Sequence, residues 1–446
     1  MSLPMDVWRR IRSHAGTPLY GNAYALVANQ AINAVLGVAF WVIAARLFSP
    51  VVVGTNAALI SSMTFVAFFS QLGMRNSMTW LLPTTGASGG RYVARAYVVS
   101  VVVSCALAPF MLLLFSGISD APEILTGGLL LTATFALSSA VSAIFAMQDG
   151  VLVGLRVARW VPIENAGFGL LKIVLLPLLA TAGLGIFAAW TLSTAPFVML
   201  VTYIVFRRIL PARARAYAGI EPPPSGRIMR FVSGDFVGNL TVQGTIRLMP
   251  ILILAMLGSV ANAYSYQAWT LAVPIFFVAG SMVSSLTVES LTAPARATDY
   301  ARRMLVNMLA VLGPLALLLV LAAPVILGIF REVYAREASG LLRLLALATI
   351  PTTLNVWFYA LCRIRGTVVP IIIGQSLAST LAISLSVLLM PPLGIIGSGI
   401  GWLVGQSTVA VFVVAREFRW SAGAGLSWPR NLKQGWNELP TQDQAE

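Results

Sequence analysis

Long apolar runs separated by short polar connections dominate the pattern of this chain. A helix needs about 20 mostly apolar residues to cross a bilayer. Twelve segments meet this requirement, and several of the connections near Ala182, Gly258 and Pro391–Pro392 are short enough to predict tight helical hairpins. The twelve segments are 22–45, 53–72, 92–115, 124–147, 161–181, 184–206, 231–257, 260–287, 304–330, 340–361, 368–390 and 394–415. The pattern predicts an all-α integral membrane protein.

Basic residues are concentrated on one side of the predicted membrane. Of the 29 lysines and arginines, 23 lie on the side of both termini, and only Arg46, Arg331 and Arg336 lie in connections on the other side. The positive-inside rule therefore predicts that both termini are cytoplasmic. The net charge of +14 is explained by this topology signal. No stretch interleaves basic and aromatic residues as a nucleic-acid surface does, so we expect no nucleic acid partner.

The two halves of the sequence repeat at an offset of 208–210 residues. Asn29 matches Asn239 at offset 210, and the VPI at 161–163 matches the VPI at 369–371. Six helices per half is an even number, so both halves enter the membrane in the same direction, as in transporters built from parallel repeats. The predicted organisation is an N-terminal tail (1–21), an N-lobe (22–206), a cytoplasmic linker (207–230), a C-lobe (231–415) and a C-terminal tail (416–446).

Charged residues inside the predicted spans are the strongest candidates for function. An arginine at the bilayer centre costs roughly 2.5–3.5 kcal/mol on insertion scales, and Arg247 and Lys172 both lie near the midplane, one in each half. Asp235 is twelve residues from Arg247, about 18 Å along a helix, which is too far for a direct pair. An ion pair of Arg247 or Lys172 with Glu164 remains an alternative to a ligand contact.

Three stretches resemble a known family. The runs NAYALVANQAINAVLGVAFWVIAARLFSPVVVGTNAALISSMTFVAFFSQLG (22–73), DGVLVGLRVARWVPIENAGFGLLKIVLL (149–176) and LGIIGSGIGWLVG (393–405) are similar to Wzx-type polysaccharide and lipid-linked oligosaccharide flippases. The resemblance covers nearly the whole chain. It points to the superfamily of multidrug, oligosaccharidyl-lipid and polysaccharide exporters, and it implies a MATE-like fold of two six-helix lobes around a central cavity.

The resemblance also implies a role for the intramembrane polar residues. Such a flippase moves a polyprenyl-diphosphate-linked glycan between the leaflets of a bacterial cell membrane, with glycosyltransferases and a polymerase as expected partners beside the membrane lipids. Arginine and lysine suit the diphosphate, and amides suit sugar hydroxyls or interhelical hydrogen bonds. The candidate substrate residues are Arg247, Lys172, Arg46, Arg75, Arg343, Asn29, Asn33, Asn239 and Gln243, and the candidates for ion coupling are Asp235 and Glu164.

Two other functions compete with flipping. A drug or cation antiporter of the same superfamily is the main alternative, but such proteins usually place carboxylates deep in the cavity, whereas the deep groups here are basic. A membrane glycosyltransferase or ligase would need a sizeable outward loop, and the predicted outward loops are short. The only histidine is His14 in the N-terminal tail, so we expect no catalytic triad, metal site or cofactor.

Overall fold

The computed structural model describes residues 18–85, 88–116, 128–181, 185–216, 225–292, 297–365, 367 and 369–423. Within these ranges, the side chains of 18–28, 80, 84, 115–116, 216, 225–239, 242, 284–292, 297–299 and 416–423 lie outside the description. Every regular element in the described ranges is helical. The fold is therefore all-α, as the apolar pattern predicts.

The helices follow one another with short connections. The first half holds α1 (Pro18–Leu47), α2 (Pro50–Ser70), α3 (Met74–Leu81), α4 (Gly89–Ser116), α5 (Gly128–Gly154), α6 (Trp160–Leu178), α7 (Gly185–Ile204) and α8 (Leu210–Ala216). The second half holds α9 (Ser225–Thr292), α10 (Ala297–Gly328), α11 (Glu332–Leu347), α12 (Thr349–Ile364), α13 (Val369–Leu393) and α14 (Ile395–Gly423). A 3₁₀ turn (Leu82–Thr84) follows α3, and a π turn (Val205–Ile209) joins α7 to α8.

Eleven stretches of the described residues are long and apolar enough to span a membrane. One of them, Gln243–Val283, is broken at Gly258, where φ is 82° and the chain turns back. Dividing α9 there gives the seventh and eighth predicted spans, which we call α9a (before Gly258) and α9b (after it). The turn predicted at Pro391–Pro392 is displaced: α13 continues through both prolines, and the chain turns at Gly394 with φ 59°.

The short helix α3 lies where the apolar pattern predicts only a loop. Its eight residues are too few to span a bilayer. Gly73 starts it with φ 78°, a backbone conformation that L-residues rarely adopt. The helix then packs closely on α5, because a Cβ at Gly150 would lie 2.0 Å from the carbonyl oxygen of Arg75 and one at Gly154 would lie 2.4 Å from that of Met78. Two glycines of α5 thus fix the position of Arg75.

Packing divides mainly by half. In the first half, α6 packs against α1 and α7, and α5 packs against α4; in the second half, the closest pairs are α13 with α14 and α10 with α11. The main contact between the halves joins α2 to α9. The N-lobe and C-lobe boundaries stay a prediction, although the starts of α6 and α13 (Trp160 and Val369) lie 209 residues apart, the same spacing as the sequence repeat.

Candidate substrate cavity

A cavity of about 260 Å³ opens between the helices of the first half and α9a. Its walls combine aromatic rings, amides, hydroxyls and two arginines. The lining residues are Thr64, Ala67, Phe68, Gln71, Gly73, Arg75, Asn76, Ser142, Phe145, Ala146, Phe168, Trp190, Thr194, Gln243 and Arg247. Among these described residues there is no carboxylate, so the charge on the wall is positive.

The cavity lies towards one end of the bundle. We call this end, where α2 finishes at Ser70 and α6 begins at Trp160, the inner end; the arginine distribution predicts that it is cytoplasmic. The lining segment of α2 begins at Thr64, in the inner third of that helix. The opposite, outer end carries the connections that follow α1 and α10. A solute in the cavity would therefore be reached from the inner side.

At the outer end the two halves close on each other. The Asn262 side chain donates a hydrogen bond of 2.8 Å to the carbonyl oxygen of Gly54. A Cβ at Gly54 would lie 1.7 Å from the carbonyl oxygen of Ser259, so α2 and α9b touch backbone to backbone. Arg46 donates from Nε to the carbonyl oxygen of Ile329 at 2.9 Å, and Arg331 donates to the carbonyl oxygen of Arg46. We call these contacts, which join the two halves at the outer end, the outer closure.

Arg75 lies at the inner mouth and carries an ion pair. Its guanidinium is 3.0 Å from a carboxylate oxygen of Asp149, and its side chain is 47% exposed. The second Asp149 oxygen accepts from the Asn165 amide at 3.2 Å. The arginine comes from α3, the carboxylate from α5 and the amide from α6. The pair thus neutralises Asp149 and leaves about half of the Arg75 side chain accessible.

Arg247 is the other arginine of the cavity wall. It donates to the side-chain oxygen of Gln243 at 2.5 Å and to the carbonyl oxygen of the same residue at 3.1 Å. Its guanidinium carbon lies 5.0 Å from the ring centre of Phe68 on α2. The expected alternative, an ion pair of Arg247 with Glu164, is not formed in the described part of the chain. Arg247 also lines the cavity.

Lys172 is not among the residues that line the cavity, and it lies behind aromatic residues that do. Its ammonium lies 4.2 Å from the ring centre of Trp190, 4.7 Å from Phe168 and 5.0 Å from Phe40. Trp190 and Phe168 line the cavity, and Lys172 is only 5% exposed. Direct contact with a solute in this conformation would require one of the rings to move, and the position of Lys172 near the midplane stays a prediction.

Glu164 forms an ion pair with neither Arg247 nor Lys172 in the described part of the chain. It is 2% exposed, and neither of its carboxyl oxygens has a hydrogen-bond partner among the described residues. The charge of Asp149 on α5 acts on Glu164, and Glu164 acts in turn on the hydroxyl of Tyr97 on α4. A buried carboxyl with unsatisfied oxygens is costly unless its charge is removed or a cation binds there. Its predicted role in ion coupling stays a prediction.

The other predicted site residues are dispersed. Arg46 belongs to the outer closure. Arg343 on α11 is exposed and donates to the carbonyl oxygen of Val320, away from the cavity. Asn33 donates to the side-chain oxygen of Asn29 at 3.2 Å, so this amide pair bonds within α1. The side chains of Asn239 and Asp235 lie outside the described residues.

Several residues of the site escape the sequence pattern. Asp149 belongs to the polar connection after a predicted span and carries no mark that pairs it with Arg75, which is 74 positions earlier. The aromatic wall of Phe68, Phe145, Phe168 and Trp190 is indistinguishable in sequence from residues that face lipid. Only the intramembrane Lys172 could have pointed to that wall, because a buried cation needs partners and aromatic faces are one kind of partner.

No protein-family model matches the sequence, and no curated protein matches it. Solved structures do match. A multidrug resistance MATE family transporter of the MOP superfamily in an inward-facing conformation is 15% identical, with a TM-score of 0.71 over 88% of this chain and 95% of its own. The same kind of transporter in an outward-facing conformation gives a TM-score of 0.60 at 15% identity over 92% of this chain and 98% of its own.

A third similar structure comes from Pyrococcus furiosus. It is a MOP superfamily transporter whose binding pocket has reverse polarity, which suggests a different function for that protein. It is 16% identical, with a TM-score of 0.57 over 92% of this chain and 98% of its own. These matches cover nearly the whole chain and confirm the predicted MATE-like fold. The chain is a multi-pass membrane protein with the architecture of these transporters.

Proposed function

We propose that this chain is a membrane transporter that moves an amphiphilic solute with an anionic head group by alternating access. The observation that carries the proposal is the charge of the cavity, which presents Arg75 and Arg247 and no carboxylate among its described lining residues. The outer closure and the inner cavity correspond to one of the two end states that such a mechanism requires.

The more specific form of the proposal is a flippase for a polyprenyl-diphosphate-linked oligosaccharide. Two guanidinium groups at one cavity match a diphosphate, because each offers a planar fork of donors to phosphate oxygens. Gln71, Asn76 and Thr194 on the same wall offer partners for sugar hydroxyls. A volume of about 260 Å³ is below the usual range for a drug-sized ligand, so it suits the diphosphate and the nearest sugar, with the rest of the glycan outside.

A drug or cation antiporter is the second candidate, and the fold comparison favours it at least as much. Two of the similar structures are multidrug transporters. The aromatic wall formed by Phe68, Phe145, Phe168 and Trp190 would also suit a flat organic cation. The Pyrococcus furiosus structure, described by a pocket of reverse polarity, is a reason not to infer a cationic substrate from the fold alone. The two arginines of the wall favour the anion.

The test is a lipid extract from the native cell after depletion of this protein. Mass spectrometry would look for polyprenyl-diphosphate-linked sugars, and an impermeant probe would report the leaflet that holds them. We expect one glycolipid to accumulate in the cytoplasmic leaflet. No accumulation, together with new sensitivity to small organic cations, would establish the antiporter instead.

Complementation then connects this phenotype to the cavity. Wild type should restore the outer-leaflet glycolipid, whereas Arg247→Ala should reduce transport at least about tenfold, since a charge-assisted hydrogen bond contributes about 1.5–3 kcal/mol. Arg302→Ala is the matched control, because this arginine is exposed on α10 and does not line the cavity. Normal transport by Arg247→Ala, at equal abundance in the membrane, would contradict the proposed role of this arginine.

A further inference from the structure

We infer that Phe40, Phe168 and Trp190 form a binding site for a small organic cation, and that Lys172 occupies this site with its own ammonium group. We call the three rings the aromatic box. The inference deepens the proposed function, because it explains how an aromatic cavity would reject cations. The test of this inference measures cation binding and not transport, so the inference and the proposed function can fail separately.

The geometry of the box is that of a cation site. The three ring centres lie 4.2–5.0 Å from the ammonium nitrogen, within the range of about 6 Å at which ring faces attract cations. Phe40 and Phe168 both stand edge-on to Trp190, at interplanar angles of 75° and 73°. The rings therefore form separate walls around the ammonium group instead of a stack beside it, which is the arrangement that recognises quaternary ammonium ligands.

The rings are the only stabilising partners that the structure describes for this ammonium group. Lys172 forms no ion pair or hydrogen bond with a described residue. A buried lysine held by a carboxylate would be explained as a structural ion pair. Here a charge is buried without a counter-ion in the described part of the chain, and the aromatic faces supply the attraction.

The box belongs to the cavity wall. Phe168 and Trp190 line the cavity and also lie against the Lys172 ammonium group, and Phe145, another lining residue, is 5.0 Å from Phe168. An organic cation in the cavity would meet rings that already hold an ammonium group, and that group would repel the cation. An anionic head group would meet the same charge as an attraction. One lysine therefore favours anions and disfavours cations.

Removing the lysine side chain should open the site. Lys172→Ala deletes the ammonium group and the chain that carries it, and it leaves a space bounded by three ring faces. We expect the purified variant to bind tetramethylammonium at least about tenfold more tightly than wild type, measured by isothermal titration calorimetry in detergent. Lys172→Met is the matched control: it fills the box with an uncharged chain of similar length and should bind no better than wild type.

A second substitution assigns the binding to the box. Adding Trp190→Ala to Lys172→Ala should abolish the gained affinity, since it removes the ring closest to the cation. Equal binding by wild type and Lys172→Ala would overturn the inference. Equal binding by Lys172→Ala and the double variant would also overturn it, because the cation would then occupy another site.

A measurement on the unaltered protein covers the case in which Lys172→Ala does not fold. The chain contains only two lysines, Lys172 and Lys433. Selective isotope labelling of lysine therefore gives two ε-methylene NMR signals, and the one missing in Lys172→Met belongs to Lys172. We expect that signal to be displaced upfield by the ring currents of the box. A Lys172 signal at the position of a free lysine would show that the ammonium group is not held there.

Discussion

The close contact at Gly54 predicts that a single methyl group shifts the protein towards the outward-open state. In the described conformation a Cβ at Gly54 would lie 1.7 Å from the Ser259 carbonyl oxygen and 3.0 Å from the Ala263 nitrogen. Real Cβ contacts are essentially never below 3.0 Å, so the two helices would have to separate by about 1.3 Å. Both obstacles are backbone atoms, which cannot rotate away as a flexible side chain would.

The size of the effect follows from the cost of overpacking. Extra methyl groups in well-packed contacts typically cost about 1–3 kcal/mol. This cost applies only to the outer-closed state, because separating the halves at the outer end removes the contact. A differential free energy of that size corresponds to a shift of about 5- to 150-fold in the ratio of the two states. Gly54→Ala should therefore populate the outward-open state detectably.

Double electron–electron resonance between two spin labels would measure the shift between the two states. Labels at Arg159→Cys and Thr367→Cys lie on exposed residues at the inner end of each half. The native Cys105 and Cys362 would first be replaced. Opening the outer end should bring the inner ends together, so Gly54→Ala should shorten the measured distance.

Gly37→Ala provides the matched control for this prediction. Gly37 also lies inside a helix of the first half, but a Cβ there would meet nothing within 4 Å. Both substitutions gain the same helix propensity, about 1 kcal/mol, so only the steric contact differs between them. An identical distance distribution for Gly54→Ala, Gly37→Ala and the parent protein would refute the assignment of this contact to the outer closure.

Other predictions concern the inner half and the topology. Glu164→Gln should raise the thermal unfolding temperature or leave it unchanged, measured by scanning fluorimetry, because the amide keeps the shape and removes a charge that has no described partner; a clear decrease would show that the carboxylate is needed. A double-mutant cycle of Arg75→Gln and Asp149→Asn should give a coupling free energy below about 1 kcal/mol, since the pair is partly exposed, and a larger value would assign it a structural role. A topology reporter fused after Arg215 should be cytoplasmic and one at Ser119 external, and the opposite result at either position would contradict the predicted orientation.

The sequence predicts the helices well because hydropathy and length alone decide them. The α6 and α7 helices begin within one residue of their predicted starts, and the break in α9 falls at Gly258, within the predicted connection between spans seven and eight. The pattern misses α3 because its eight mixed residues give no long apolar run, and a run of that kind is what the prediction of spans depends on. That helix is instead fixed by Gly150 and Gly154 on α5, a tertiary contact that no local pattern contains.

The candidate site is predicted only in part, because hydropathy gives depth in the membrane but not the direction of a side chain. Arg247 and Lys172 are both predicted to lie near the midplane, yet Arg247 lines the cavity and Lys172 lies in the aromatic box. The walls of the box come from α1, α6 and α7, and Phe40 and Trp190 are 150 positions apart in the chain. Their meeting depends on how each helix is rotated about its axis, which is decided by packing.

The outer closure has a consequence for how this protein can vary in evolution. Each of its hydrogen bonds joins a side chain in one half to a main-chain carbonyl in the other: Asn262 to Gly54, Arg46 to Ile329 and Arg331 to Arg46. A carbonyl acceptor is the same whichever residue supplies it, so Ile329 is free to change without a compensating change at Arg46. Comparisons of related sequences that look for correlated substitutions would therefore detect little at this interface, even though it holds the two halves together.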